Sequence, residues 1–157
     1  MIAVGLVCVG KLKESYLREA SAEYEKRLSR FCKFSVKEVA EQRSDSKSAA
    51  EIEAVKRAEG ERLIAALGGG YVVVLDGRGR QATSEEIAAT LAAAAQRTSH
   101  IDFVIGGSYG LSDEVRARAD EVISFGKITF PHQLIRIVAE EQIYRAFTIN
   151  NNVAYHK

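Results

Sequence analysis

The chain has 157 residues, 46% hydrophobic and 27% charged, and its 22 lysines and arginines stand against 21 acidic residues. That length favours one domain, and that composition is globular and excludes a disordered chain. A near-neutral balance also excludes a protein that grips bare nucleic acid by net charge alone, because phosphate neutralisation dominates such affinity.

The first element is a continuous valine-rich apolar run over 2–9, closed by Gly10, which reads as a strand buried on both faces. No basic segment precedes it, so it is not read as a secretory signal. No apolar run approaches the roughly 20 residues of a membrane-crossing helix, and a cytoplasmic protein is expected. Cys8 and Cys32 are the two cysteines. They lack the paired spacing of a disulfide framework or zinc site and read as small buried hydrophobes, so no metal is expected.

Residues 13–28 place Tyr16, Leu17, Ala20, Tyr24 and Leu28 at helical spacing, and 34–39 reads as a second strand. The serines of a polar loop over 44–48 are able to cap a helix over 49–67. Gly68, Gly69 and Gly70 end that helix. A third strand over 71–75 meets a sharp turn at Asp76, Gly77, Arg78 and Gly79. Thr83 and Glu86 have capping-box spacing and start an alanine-rich helix to about residue 96. A fourth strand over 101–105 runs into a glycine loop over 106–110. A short helix over 111–119 and a short strand over 122–124 follow. The last helix starts at Pro131, the only proline, runs to about residue 147, and leaves a tail over 150–157.

Strands and helices alternate, so residues 1–157 are expected to form one α/β domain with a mainly parallel sheet flanked by helices. Ligands of such sheets bind beyond the carboxyl ends of the strands. Three of those ends are glycine-rich or polar: after Leu75, after Ile105 and after Ser124. The charges are uneven, with seven basic and four acidic residues over 11–33 and the reverse over 38–61. Should RNA be the partner, the first helix and the C-terminal third are the expected surfaces.

Gly5 to Leu12 nearly matches a phosphate-cradling loop. It fails because Leu12 stands where a hydroxyl is needed and strand formers fill the middle. The loop Gly106-Gly107-Ser108-Tyr109-Gly110 lies between strand and helix, where backbone N–H groups approach a ligand closely, but it is not a dinucleotide fingerprint. In the last helix His132, Arg136, Glu140 and Tyr144 recur at every fourth position and share one face. That face reads as a site or a polar subunit interface, with Leu134, Ile135, Ile137, Val138 and Ala139 packing inward. His100, in a turn before a strand, is expected to do nothing. Tyr155-His156-Lys157 combines three groups able to meet a base or a phosphate, in a tail of the kind that usually frays.

Taken together, these residues resemble a known family over the whole chain. The chain is similar to the small SPOUT-class ribosomal RNA methyltransferases that act on N3 of a pseudouridine in the large subunit. The matching motifs are Val4-Gly5 through Gly10-Lys11-Leu12-Lys13, Glu23-Tyr24-Glu25-Lys26-Arg27, Lys56-Arg57-Ala58-Glu59-Gly60, and Val104-Ile105-Gly106-Gly107-Ser108-Tyr109-Gly110-Leu111. They continue with Phe130-Pro131-His132-Gln133-Leu134-Ile135-Arg136, Glu141-Gln142-Ile143-Tyr144-Arg145-Ala146-Phe147, and the final Tyr155-His156-Lys157.

The resemblance implies a C-terminal trefoil knot, which periodicity does not show and which general topology rules argue against. It implies S-adenosylmethionine as cofactor, held at Leu75, Gly106, Phe125, Gly126, Lys127, Ile128, Thr129 and Phe130. It implies a homodimer acting on ribosomal RNA within the ribosome, with the tail reaching the partner's cofactor. The candidate catalytic residues are His132, Arg136, Tyr155 and His156, and the candidate substrate-binding residues are Tyr144, Arg145 and Lys157. Two alternatives stay open: an enzyme of the same class acting on a different RNA such as tRNA, and a non-catalytic, ribosome-associated nucleotide-binding module.

Overall fold

A computed structural model describes every residue from Met1 to Lys157. The N-terminal apolar run becomes β1 (Ala3–Val9), and alternate side chains leave it on opposite faces. Val4, Leu6 and Cys8 join one buried cluster, while Val7 and Val9 join another. A strand covered on both faces has no polar side to present, which is why the run is continuous rather than alternating.

The remaining elements are α1 (Ser15–Leu28), β2 (Lys33–Val39), α2 (Ala49–Ala65), β3 (Tyr71–Gln81) and α3 (Ser84–Ala95). They are followed by β4 (His100–Ile105), α4 (Asp113–Arg118), β5 (Glu121–Ser124) and α5 (His132–Asn150). The sheet order is β2-β1-β4-β3-β5, and every pairing is parallel. The larger cluster lies between the sheet and α1, α3 and α5, and the smaller one lies beneath α2 and α4. The α/β class and the parallel sheet match the sequence reading.

Register brings the strand ends together. Cys8 and Leu75 both pair with Ile105, and Leu75 also pairs with Ile123. The near-match to a phosphate loop is ordinary strand, with Val7 and Val9 buried.

Three details differ from the sequence reading. β3 does not end at Leu75. Residues 76–79 bulge out, and Arg80 and Gln81 rejoin the sheet against Ile123 and Ser124. Arg80 is held there by Glu121, and Asp76 in the bulge is held by Arg116 at 2.7 Å. The last helix extends to Asn150, whose side-chain amide donates to the Ala88 carbonyl of α3 at 2.9 Å. His100 is not idle, since its ring contacts the fully buried Asp102 at 2.9 Å, and Asp102 also accepts the Gly68 N–H at 2.7 Å. A carboxylate buried in a central strand needs such partners.

Candidate active site

The ends of β3, β4 and β5 open into a cavity of about 350 Å³. Its walls include Leu75, the loop residues Gly106, Gly107, Ser108 and Gly110, and the segment Phe125, Gly126, Lys127, Ile128, Thr129 and Phe130. His132 and Ile135 of α5 complete it. All eight positions expected to hold a cofactor therefore line one space.

Local geometry explains the residue types. A Cβ on Gly106 would stand 2.9 Å from the Gly110 backbone, so only glycine allows that approach. Gly110 at φ 86° and Gly126 at φ 117° occupy backbone regions that L side chains avoid. The Gly110 N–H donates to the Gly107 carbonyl at 3.0 Å and closes the loop. Ser124 accepts from the Gly126 N–H at 3.1 Å and donates to the Gly126 carbonyl at 2.9 Å, fixing the direction in which the chain leaves β5. The cavity is within the roughly 300–1,000 Å³ of small-molecule sites and combines apolar walls with exposed backbone polar groups.

The four-residue series on α5 is real, and Ile135 and Ala139 pack inward as expected, but the polar series turns inward with them while Leu134, Ile137 and Val138 do not. Arg136 is 2% exposed, Glu140 0% and Tyr144 8%, whereas Leu134 is 41% exposed. The polar series faces into the molecule, and an apolar stripe of Leu134, with the half-buried Ile137 and Val138, faces out. His132 lines the cavity, and its Nε2 is 3.5 Å from Glu41 without a hydrogen bond. Arg136, one turn on, donates to Glu38 at 2.8 Å and to the Gly10 carbonyl at 3.2 Å. It borders a second, polar cavity of about 380 Å³ with Lys11, Arg18 and Ser21. Burial pushes the Glu140 carboxyl up to about 7, opposed by the Ser21 hydrogen bond and by Arg136.

The tail is folded back rather than frayed. Tyr155 donates to Glu141 at 2.7 Å and packs edge-on against Tyr144 at 5.0 Å. The hydrogen bond to Glu141 and burial together hold the Tyr155 phenol above its ordinary value. Arg145 donates to Glu141 at 2.8 Å and to Nδ1 of His156 at 3.1 Å, and the other nitrogen of His156 meets Glu85 of α3. Tyr144 is enclosed by Tyr24, Phe31 and Tyr155, and its ring packs beneath the tail. Lys157 is exposed.

Within one chain the structure therefore forms two groupings. His132 stands at the cavity with Arg136 one turn behind it, while Arg145, Tyr155 and His156 gather at the far end of α5. Arg145 follows His132 by 13 residues. At about 1.5 Å per residue that is about 20 Å of helix axis. Sequence reasoning did not single out Glu38 and Glu41, which face Arg136 and His132, or Glu59, which lies against Gly107 of the glycine loop. For Glu59 a signal exists, since Val55, Glu59 and Leu63 share a four-residue spacing and all three are buried.

Comparison with known proteins shows the family. The family model described as predicted SPOUT methyltransferase matches residues 2–156. The chain is 52% identical to a Lactobacillus helveticus protein named ribosomal RNA large subunit methyltransferase H, an alignment covering 98% of this chain and 99% of that one. A protein of the same name from Bifidobacterium animalis is 50% identical with the same coverage. Among solved structures, a probable methylase family protein from Haemophilus influenzae superposes with a TM-score of 0.54 at 14% identity, covering 98% of this chain and 70% of that one. A tRNA methyltransferase from Aquifex aeolicus gives 0.52 at 12% identity, covering 91% and 69%. At those identities the structural likeness speaks for the fold alone.

Proposed function

The chain belongs to the SPOUT methyltransferase family, and from that premise we propose that residues 1–157 transfer a methyl group from S-adenosylmethionine to N3 of a pseudouridine in large-subunit ribosomal RNA. The observation that carries the reading is the single cavity into which Leu75, Gly106 and the segment 125–130 all face. Its volume, its glycine approach and its mixed apolar and backbone lining suit a nucleoside with an amino-acid arm. A trefoil knot belongs to this reading, and the sharing of one cavity by the loop after β4 and the segment after β5 supports it.

S-adenosylmethionine, when bound, supplies a methyl group already activated on a sulfonium centre. The work left to the chain is orientation and handling of one proton. N3 of pseudouridine carries a proton that must leave before or during attack. His132 stands at the cavity with its buried Nε2 turned toward Glu41 at 3.5 Å, and its ring is the titratable group of α5 nearest the site of proton loss in this reading. Arg136 is committed to Glu38 and Gly10, and it shapes the pocket by fixing the first turns of α5 against β1 and β2. Tyr155 and His156 position the base, with Arg145 and Lys157 meeting phosphate.

The 20 Å between the two groupings makes this division work only between two chains. A homodimer whose tail serves the partner's cavity brings them together, and the outward stripe of Leu134, Ile137 and Val138 offers an apolar seam for that second copy. With a formal net charge of only +1 per chain, the dimer recognises a large folded target by shape, and the assembled ribosome in the cytoplasm is that target. A tRNA substrate is supported only by fold-level likeness, and a non-catalytic nucleotide-binding module finds no support among relatives named as methyltransferases.

The deciding experiment is methyl transfer from labelled S-adenosylmethionine to ribosomes lacking the modification, followed by mass mapping of the product. Label in N3-methylpseudouridine is expected. Wild-type single-turnover rates in both His156→Ala and Arg136→Ala would refute the residue assignment, and label appearing only in tRNA would refute the substrate.

A further inference from the structure

One carboxyl beside the glycine loop has no part in the reading above. Glu59 of α2 is 4% exposed. Its Oε2 accepts the Gln42 backbone N–H at 3.0 Å, while Oε1 is buried without any hydrogen-bond partner. That free oxygen lies against Gly107, where a Cβ would stand 2.9 Å from it. The other side of Gly107 lines the cavity. Gly107 is thus the single residue between the ligand space and a buried, half-satisfied carboxyl.

The surroundings hold Glu59 in place. Gln42 is fixed by Arg62, whose guanidinium donates to the Gln42 side chain at 2.6 Å and to the Ala40 carbonyl at 2.9 Å. The next residue, Gly60, has no Cβ and so lets α2 approach Ser112, the residue that caps α4 just beyond the glycine loop. Residues 59 and 60 therefore support both ends of the loop from below. A buried acceptor left unpaired is costly, and such atoms need an explanation.

We propose that Glu59 is a positioning residue for the cofactor loop: its free oxygen accepts a backbone N–H of Gly107 or Ser108 when the loop settles around the bound cofactor. A carboxylate accepts at both oxygens, so it holds Gln42 and the loop together. Glutamine has one acceptor oxygen and must release one of them. This inference rests on the reading of the cavity as the S-adenosylmethionine site.

The test compares wild type with Glu59→Gln. Calorimetry with S-adenosylmethionine should show affinity weakened about tenfold, the scale of one hydrogen bond to a charged acceptor, with the melting temperature little changed. Turnover at saturating cofactor should stay near wild type, so the loss appears in KM and not in kcat. In wild type, NMR hydrogen exchange at saturating cofactor should show the Gly107 or Ser108 amide gaining protection that Glu59→Gln lacks. Equal affinities for the two proteins overturn the inference and leave the cavity reading standing. Absence of any gain at both wild-type amides overturns it even where the variant does not fold. Failure of wild type to bind the cofactor at all overturns both.

Discussion

At Glu140 burial raises the carboxyl from 4.5 in its ordinary state to about 7, so the folded protein binds a proton there that the unfolded chain releases. The stability tied to that proton is fully present below about pH 4.5 and is lost as pH rises through about 7. Glu140→Gln should remove the loss, gaining about 2–3 kcal/mol over wild type at pH 8 and little at pH 4.5, as urea unfolding at the two pH values will show. Arg136→Ala has the opposite character. It leaves Glu38 and Glu140 facing a void, and denaturant midpoints should report a loss of about 3 kcal/mol at neutral pH. The spacing of His132, Arg136, Glu140 and Tyr144 was legible in the sequence, but its direction was not. Period alone says which residues share a face, while the choice of inward face depends on what α1 and β2 supply, here Ser21 and Glu38. The general habit of turning polar residues outward gives the wrong answer for this helix.

Elements were legible where local chemistry and tertiary pairing agree. Thr83 and Glu86 form the capping box their spacing announced, and the fourth strand sits within one residue of its expected bounds. They were misread where pairing overrides a local signal. The glycines of 76–79 do mark a departure from the sheet, yet Arg80 and Gln81 return to it because β5 offers Ile123 and Ser124 as partners. No local rule contains that return. The segment after β5, proposed above to hold the cofactor, gives a prediction at this scale. A Cβ on Gly126 meets no atom within 4 Å, so Gly126→Ala adds backbone strain at φ 117° and no clash. Strain of about 1–3 kcal/mol should rearrange 125–130 and weaken S-adenosylmethionine binding at least several-fold in calorimetry. Thr83→Ala is the control, since Thr83 caps α3 and does not line the cavity: loss of that cap should cost about 1 kcal/mol in thermal or urea unfolding and leave cofactor affinity intact.

For the whole molecule, the class, the parallel sheet and the meeting of three strand ends followed from alternation of elements, and the family followed from the motifs. The separation of His132 from the tail did not, because it is a distance along α5 that matters only once a second chain is considered. The outward apolar stripe tests that arrangement. Leu134→Glu should shift the protein toward monomer in light scattering and abolish methyl transfer, while cofactor affinity falls far less. Activity retained by a demonstrated monomer would refute the shared site. The sheet order carries one more consequence, for the newly made chain. β4 lies between β1 and β3, yet it is formed by residues 100–105, and Arg136 closes on Gly10 across 126 residues. A chain still in synthesis before His100 holds two apolar strands whose shared neighbour does not yet exist. Such non-local closure slows folding to about milliseconds to seconds, and until then the two open edges are templates for aggregation. The period of greatest vulnerability for this molecule therefore falls during its own translation, before the strand that completes its centre has emerged.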